Sequence, residues 1–111
     1  MQIPNNAKAY IPAAKLTEYL LSKTHAVGRT KARFFRSLGF DEVNVVRLEA
    51  ALLTIARTEP VVDMVTSVHG TKYVIDGPLE TPNGLVVRVR TVWVVEPGQD
   101  APRFVTAYPV G

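Results

Sequence analysis

The chain has 111 residues, the length of one domain, and we predict a single domain over residues 1–111. It contains no cysteine, which excludes disulfides, cysteine–zinc sites and thiol nucleophiles. The hydrophobic fraction of 47% is typical of a globular domain, and the apolar runs are far shorter than a membrane span. The first residues lack the pattern of a secretory signal, so we expect a cytoplasmic protein without membrane contact.

Positive charge is concentrated in the first third of the chain. Residues 23–36 hold five cations and no acid, whereas residues 61–111 hold four cations and five acids. The formal net charge is +3. This asymmetry indicates either a phosphate-bearing ligand near the basic segment or an ordinary solvated polar surface.

The periodicity of the first part predicts a helix that opens at Ile11. Proline is tolerated in a first helical turn, and Pro12 is placed there. Apolar side chains then recur at helical spacing on one face, at Leu16, Tyr19 and Leu20. Residues 22–28 lack such a pattern and are predicted to be a loop.

Two further helices are predicted before residue 60. Thr30 is a candidate N-cap for a short helix over residues 31–38, which Gly39 would close. Asp41 is predicted to cap a third helix that continues to about Arg57.

The remainder of the chain favours β-structure. Strands are predicted over residues 61–68, 71–79, 85–95 and 103–108, separated by turn sequences such as Pro82-Asn83-Gly84. The expected fold class is therefore α+β, with about three N-terminal helices packed on one face of a C-terminal antiparallel sheet of three or four strands.

Alternation along the long strand separates a core face from a polar face. The core face is predicted to hold Leu85, Val87, Val89, Thr91, Trp93 and Val95. Arg88 and Arg90 lie on the opposite face among valines, and Lys72 of the preceding strand joins them if the register permits. This face either binds a ligand or is a half-solvated surface whose cations suppress edge pairing.

The last strand is harder to orient. Strict alternation places Phe104, Thr106 and Tyr108 on one face and Arg103, Val105 and Ala107 on the other. Which of the two sets shares a face with the arginines stays open. The hydroxyls of Thr106 and Tyr108 either bind a phosphate or belong to ordinary strand-forming residues.

The sequence contains no recognisable metal or nucleotide motif. It has no HExxH pattern, no phosphate loop, no nucleophile elbow and no cluster of acids at ligand spacing, so we expect no metal and no cofactor. His25 then becomes the candidate for acid–base chemistry, unless it is an ordinary loop histidine. His69, in a predicted turn, is expected to be structural or exposed.

Lys31 is the unusual cation of the basic segment. On a helical wheel it lies with Phe34 and Phe35, whereas Arg33 and Arg36 lie opposite and are predicted to form a solvated face. A lysine in a first helical turn also opposes the helix dipole. Lys31 therefore either binds a specific anion or extends its stem over the core to place its ammonium in water.

Several segments carry a family resemblance. They are residues 28–35, residues 70–79, Thr91-Val92-Trp93 and residues 102–109. Together they resemble a small bacterial domain family of unassigned function, found alone or as a C-terminal module of toxin proteins. The order of helices before an antiparallel sheet is also similar to the barnase–EndoU–colicin–RelE group of ribonuclease toxins.

This resemblance implies a metal-independent ribonuclease. His25 would deprotonate a ribose 2′-hydroxyl for attack on the adjacent phosphate, Lys31 would stabilise the phosphorane, and Thr106 and Tyr108 would hold the phosphate. Contacts with the RNA backbone would come from Arg29, Lys72, Arg88, Arg90 and Arg103. The implied partners are an RNA substrate and a cognate antitoxin or immunity protein.

Two other functions remain open from the sequence. The chain could be a non-enzymatic binding module of the antitoxin or immunity type, which uses the mixed sheet face for protein contact. It could also imitate a helix-turn-helix, although Asn44 and Arg47 are nearly the only base-reading side chains that the third helix offers. The oligomeric state stays undetermined.

Overall fold

The computed structural model describes residues 1–24 and 29–110, and it confirms the predicted α+β class. A 3-10 turn, Asn6–Lys8, comes first. Helix α1 (Ala13–Lys15) continues as a π-helical turn, Leu16–Leu20, and is followed by α2 (Arg29–Ser37) and α3 (Val45–Thr58). The strands are β1 (Val61–Ser67), β2 (Gly70–Glu80), β3 (Val86–Val95) and β4 (Arg103–Pro109).

The four strands form one antiparallel meander in the order β1-β2-β3-β4. The helices cover one face of this sheet, where α3 buries Leu48, Leu52 and Ile55. The predicted core face of β3 is confirmed at Val89, at Thr91 and at Trp93, which are fully buried. The predicted first strand lies at the open edge of the sheet, and six of its seven residues are exposed.

A glycine allows α3 to lie directly on the sheet. Gly77 is on the core face of β2, where a Cβ atom would come within 2.8 Å of Glu59 Cγ and 3.0 Å of Ile55 Cγ2. Real Cβ atoms do not come as close as 2.8 Å to a carbon atom, so a larger residue would have to displace the Glu59 side chain or the helix. The missing side chain therefore sets the distance between α3 and β2.

The one predicted polar residue of the β3 core face is fully bonded. The Trp93 indole Nε1–H donates to Thr91 Oγ1 at 2.8 Å, and the Thr91 hydroxyl donates to the Ile75 carbonyl at 2.7 Å. Across residues 1–24 and 29–110, every buried side-chain nitrogen or oxygen has a hydrogen-bond partner. Burial of these groups therefore leaves no donor or acceptor unpaired.

The predicted limits of α2 are right at its end and wrong at its start. The helix begins at Arg29, so Thr30 lies inside its first turn and is not the N-cap. At the end, Gly39 has a φ of 98°. Its N–H donates to the Arg36 carbonyl at 3.0 Å, and Phe40 N–H donates to the Phe35 carbonyl at 3.3 Å. This is the glycine-closed helix end that the sequence predicted.

Helix α3 begins at Val45, later than the predicted cap at Asp41 implied. The Asp41 carboxylate instead accepts hydrogen bonds from the N–H groups of Val43 and Asn44, at 2.9 and 3.2 Å. Asn44 Oδ1 in turn accepts a hydrogen bond from Asp41 N–H, and Asn44 Nδ2 donates to the Gly39 carbonyl, each at 2.8 Å. These bonds hold a turn between the helices, so Asp41 stabilises the turn and not the helix end.

The predicted alternation of β4 is wrong at its start because the strand contains a bulge. Val92 pairs with Thr106, but Trp93 pairs with Phe104, so Val105 is an extra residue. Phe104 therefore lies in the core and not beside Thr106. Because one extra residue reverses the alternation, the positions of Arg103, Thr106 and Tyr108 fall together on the opposite face.

Candidate functional site

The sheet face opposite α3, here called the outer face, is organised in rows across the strands. One row contains Asp76, Arg90 and Tyr108, and the next contains Val74, Val92 and Thr106. A third row contains Lys72, Val94 and Arg103. The register therefore gives Lys72, Thr106 and Tyr108 the same face as the arginines of β3, which the sequence had left open.

Asp76 and Arg90 form a two-pronged ion pair on the outer face. Arg90 Nε and Nη2 donate to the two Asp76 carboxylate oxygens at 2.8 and 2.9 Å, and the Asp76 side chain is only 8% exposed. The bonds from Arg90 lower the pKa of Asp76, and those to Asp76 raise the pKa of Arg90 with a smaller contribution from Tyr108. Arg90, predicted to contact RNA, therefore has its guanidinium occupied.

Of the other predicted RNA-contacting cations on the outer face, Arg103 is also paired. Its Nε donates to Glu96 Oε1 at 2.8 Å. Lys72 and Arg88 are exposed and form no ion pair with any residue that the structure describes. Two of the four predicted sheet cations thus keep their charge available, which weakens the outer face as a phosphate-binding surface.

The side chain that joins the predicted site residues is Tyr19, in the π-helical turn. Its hydroxyl lies 3.0 Å from Thr106 Oγ1. Lys31 Nζ lies 5.8 Å from the centre of its ring and Lys15 Nζ lies 4.6 Å from it. Both distances are within the range of a cation–π contact. We call these four residues, Lys15, Tyr19, Lys31 and Thr106, the Tyr19 cluster.

The structure therefore brings together Lys31 and Thr106, two of the four predicted catalytic residues. Tyr108 follows two residues after Thr106 and is 37% exposed beside Arg90. His25 lies outside the described residues, so its place near this cluster stays a prediction. Helical spacing predicted Tyr19 only as part of an apolar stripe, and the overlooked signal for its role is the hydroxyl that it carries within that stripe.

The side of α2 that was predicted to be solvated differs from that prediction at one residue, Arg36. Arg36 is only partly exposed, because its Nε and Nη2 donate to the Leu21 carbonyl at 3.0 and 2.7 Å, and its Nη2 also contacts Glu42. This contact lowers the pKa of Glu42. Arg29 and Arg33 are exposed, as is Lys23 on the facing segment. A groove of about 380 Å³ runs between these four cations.

A second groove, of about 660 Å³, crosses the outer face from β1 to β4. Val65, Val94 and Val105 are among its lining residues, and Lys72 and Arg103 line it as well. His69 also lines it and is exposed, as predicted. An apolar lining that includes cations suits a protein segment or a ligand with both apolar and acidic groups.

Residues 1–24 and 29–110 contain neither a group of metal-ligand side chains nor a helix that could span a membrane. In that part of the chain, no three histidine, aspartate or glutamate side chains are grouped as metal ligands would be. No helix in the same part combines the length and the apolar character needed to cross a membrane.

Sequence comparison identifies the family. The family described as "Domain of unknown function (DUF6883)" matches residues 2–111. The chain belongs to this family. The predicted membership of a domain family without an assigned function is thereby confirmed. No curated protein matches the sequence of this DUF6883 domain.

A solved structure shares the fold of the DUF6883 domain. It is a chain of a contact-dependent growth inhibition toxin–immunity protein complex from Klebsiella pneumoniae 342. The two chains superpose with a TM-score of 0.74 at 20% sequence identity, and the match covers 96% of this chain and 97% of the other. At this identity the match shows a common fold from end to end.

Proposed function

We propose that this DUF6883 domain is the toxin of a bacterial toxin–immunity system, that it cleaves RNA without a metal ion, and that a cognate immunity protein is its partner. The fold shared with a chain of a toxin–immunity complex supports the toxin-system part of this proposal. The observation that carries the ribonuclease part is the Tyr19 cluster, where Lys31 and Thr106 meet the same tyrosine.

The cluster has the chemistry needed to stabilise a pentavalent phosphate. Lys31 forms no ion pair with a described residue, so its ammonium is available for the charge that develops on the phosphorane. The hydroxyls of Thr106 and Tyr108 lie on one face of β4 and can donate to the phosphate oxygens. Arg90 lies beside Tyr108, with its charge paired by Asp76.

In the proposed reaction, His25 accepts the proton of a ribose 2′-hydroxyl and the 2′-oxygen attacks the adjacent phosphorus. The bond between phosphorus and the 5′-oxygen of the next nucleotide then breaks. Tyr108 donates a proton to that leaving oxygen, which leaves a 2′,3′-cyclic phosphate on one product and a 5′-hydroxyl on the other. Lys31 stabilises the phosphorane between these two steps.

The substitution Lys31→Ala tests the proposal. We expect cleavage of a labelled RNA to fall by roughly 10²–10³, the range for loss of a preorganised donor. The folded state should lose only about 0–1 kcal/mol, since Lys31 forms no described ion pair. Arg47→Ala, which removes an exposed cation from α3, is the matched control. Lys31→Arg should not restore the rate, because a planar guanidinium replaces a point charge poorly.

A Lys31→Ala protein that unfolds at the wild-type denaturant concentration and cleaves RNA at the wild-type rate would contradict the proposed role. Cleavage should be followed in the purified protein, with circular dichroism to establish the fold. A rate lost equally in Arg47→Ala would also count against it, because that change leaves the Tyr19 cluster intact.

A non-enzymatic partner module is the second candidate, and the 660 Å³ groove favours it. This groove adjoins the exposed edge strand β1, where Val62, Met64 and Val65 are each about half exposed. Expression in a bacterial host separates the two functions. Wild-type protein that arrests growth, where His25→Ala does not, supports the toxin, whereas wild-type protein that leaves growth unaffected supports the module.

A further inference from the structure

The groove on the outward side of α2 is lined by four cations and no acid. Arg29, Arg33 and Arg36 follow one another at spacings of four and three residues, which places them on one side of the helix. At the rise of an α-helix the row extends about 10 Å along the axis. Lys23 faces the row from the preceding segment, so four cations line a space of about 380 Å³.

Three of these cations keep their charge available to a ligand. Lys23, Arg29 and Arg33 are exposed and have no ion pair with a described residue. Arg36 is held in place by the Leu21 carbonyl and is neutralised in part by Glu42. The wall formed by Arg36 is therefore rigid, while the other three side chains face solvent.

The lining of the groove favours a phosphate backbone over an acidic protein. Its remaining members are Ala32, which is buried, and Ser37. A protein interface depends on large apolar or aromatic anchors, and this groove offers none. Nucleic-acid backbones are bound by lysine and arginine side chains without such anchors.

The groove and the Tyr19 cluster lie on different sides of α2. On the helical wheel Lys31 is directed roughly opposite to the row of Arg29, Arg33 and Arg36. A helix with its side chains is about 10–12 Å wide, so an RNA strand that reaches both sides must span more than one nucleotide. The phosphates bound in the groove are therefore not the phosphate that is cleaved.

We propose that Lys23, Arg29, Arg33 and Arg36 form a docking site for RNA backbone phosphates outside the reaction centre. This inference rests on the proposed function, because it assigns part of the substrate to a second surface of the same domain. It also assigns backbone contacts to a surface other than the outer-face cations, of which Arg90 and Arg103 are already paired. The groove contributes to affinity and not to the chemical step.

The test compares two double variants of equal charge in the full chain. Arg29→Gln/Arg33→Gln removes two groove cations and leaves Arg36, which holds Leu21, untouched. Arg47→Gln/Arg57→Gln removes two exposed cations from α3 and serves as the control. Each is measured on the Lys31→Ala background with a fluorescent single-stranded RNA oligonucleotide over a range of salt concentrations. Cleavage kinetics are measured in the same variants with Lys31 present.

If the three unpaired cations neutralise three phosphates, the log–log salt slope for the starting protein should be about −2, and the groove variant, which keeps only Lys23 of the three, should reduce it to about −0.7. In cleavage, the groove variant should raise KM by roughly tenfold and leave kcat near that of the control. A groove variant with the slope and KM of the control overturns the inference. Poly-glutamate that competes as effectively as RNA, at equal concentrations of negative charge, also overturns the inference. Such a result would indicate an acidic protein as the ligand.

The two proposals fail in different ways. A wild-type protein that cleaves no RNA, while the groove variant still lowers the salt slope of RNA binding, refutes the ribonuclease and supports the docking site. A wild-type protein that cleaves RNA, with an unchanged slope in the groove variant, supports the ribonuclease and refutes the docking site.

Discussion

The hydrogen bond between Tyr19 and Thr106 offers a direct test of the site's construction. Tyr19→Phe removes the hydroxyl, which lies 3.0 Å from Thr106 Oγ1, and keeps the ring. The contacts of Lys15 and Lys31 with that ring are therefore retained. One partly buried neutral hydrogen bond contributes about 0.5–1.5 kcal/mol, so we expect the free energy of unfolding to fall by about that amount.

A double-mutant cycle with Thr106→Val isolates the pair. Urea denaturation of the wild type, both single variants and the double variant gives the coupling energy. We expect a coupling of about 1 kcal/mol between the two hydroxyls, whereas independent sites add to within about 0.3–0.5 kcal/mol. Tyr10→Phe, which removes an exposed tyrosine hydroxyl elsewhere, should change stability little.

The same coupling should appear in the rate of RNA cleavage. If Tyr19 positions the Thr106 hydroxyl for the phosphate, each single variant should lower RNA cleavage and the double variant should lower it little further. Additive losses of stability, together with additive losses of rate, would refute the idea that the two hydroxyls act as a unit.

Two further predictions concern the sheet. Asp76→Asn should lower stability at neutral pH. Because Arg90 lowers the folded-state pKa of Asp76, the contribution of the Asp76 carboxylate to the free energy of unfolding is complete above pH ~4. This contribution disappears as the pH falls through the folded-state pKa. Urea denaturation of wild type and variant should therefore converge as the pH falls, and a difference that does not shrink in acid would contradict this assignment. Gly77→Ala should cost about 1–3 kcal/mol, because its methyl group would meet Ile55 of α3 and Glu59, which follows that helix. A Gly77→Ala protein that unfolds at the same temperature as the wild type would refute that packing.

The elements that the sequence predicted well are those whose signals are local. The β3 core face follows from a long apolar alternation, and Gly39 follows from the need for a residue of positive φ at the end of a helix. The position of Thr106 and Tyr108 on a common face was also predicted, since both lie beyond the bulge and keep the same phase.

The elements that it predicted poorly depend on partners distant in the chain. The ion pair of Asp76 with Arg90 requires the register of β2 on β3, which a single strand does not reveal. Arg36 looked solvated on a helical wheel because its acceptor, the Leu21 carbonyl, belongs to another segment. In both cases the sequence shows where the charged residues are, but tertiary contacts determine which of the cations remain unpaired.

The bulge in β4 allows one strand to contribute side chains both to the core and to the candidate site. Phe104 packs edge-on against Trp93, with ring centres 5.3 Å apart, and an arrangement of this kind stabilises a core by about 0.5–1.5 kcal/mol beyond its buried area. Strict alternation from Phe104 would direct Thr106 into that core as well. The extra residue reverses the phase, so Thr106 can face Tyr19 instead.

The N-terminal segment pairs with β4, the edge strand that carries Thr106. Tyr10 N–H donates to the Pro102 carbonyl, and Phe104 N–H donates to the Tyr10 carbonyl, each at 3.0 Å. These two bonds attach the segment to the start of β4, ahead of the helical turn that carries Tyr19. Tyr19 is thus brought to Thr106 by backbone pairing and not by its own hydroxyl. The hydroxyl pair can therefore be removed without loss of the surrounding fold, which is the condition that the double-mutant cycle requires.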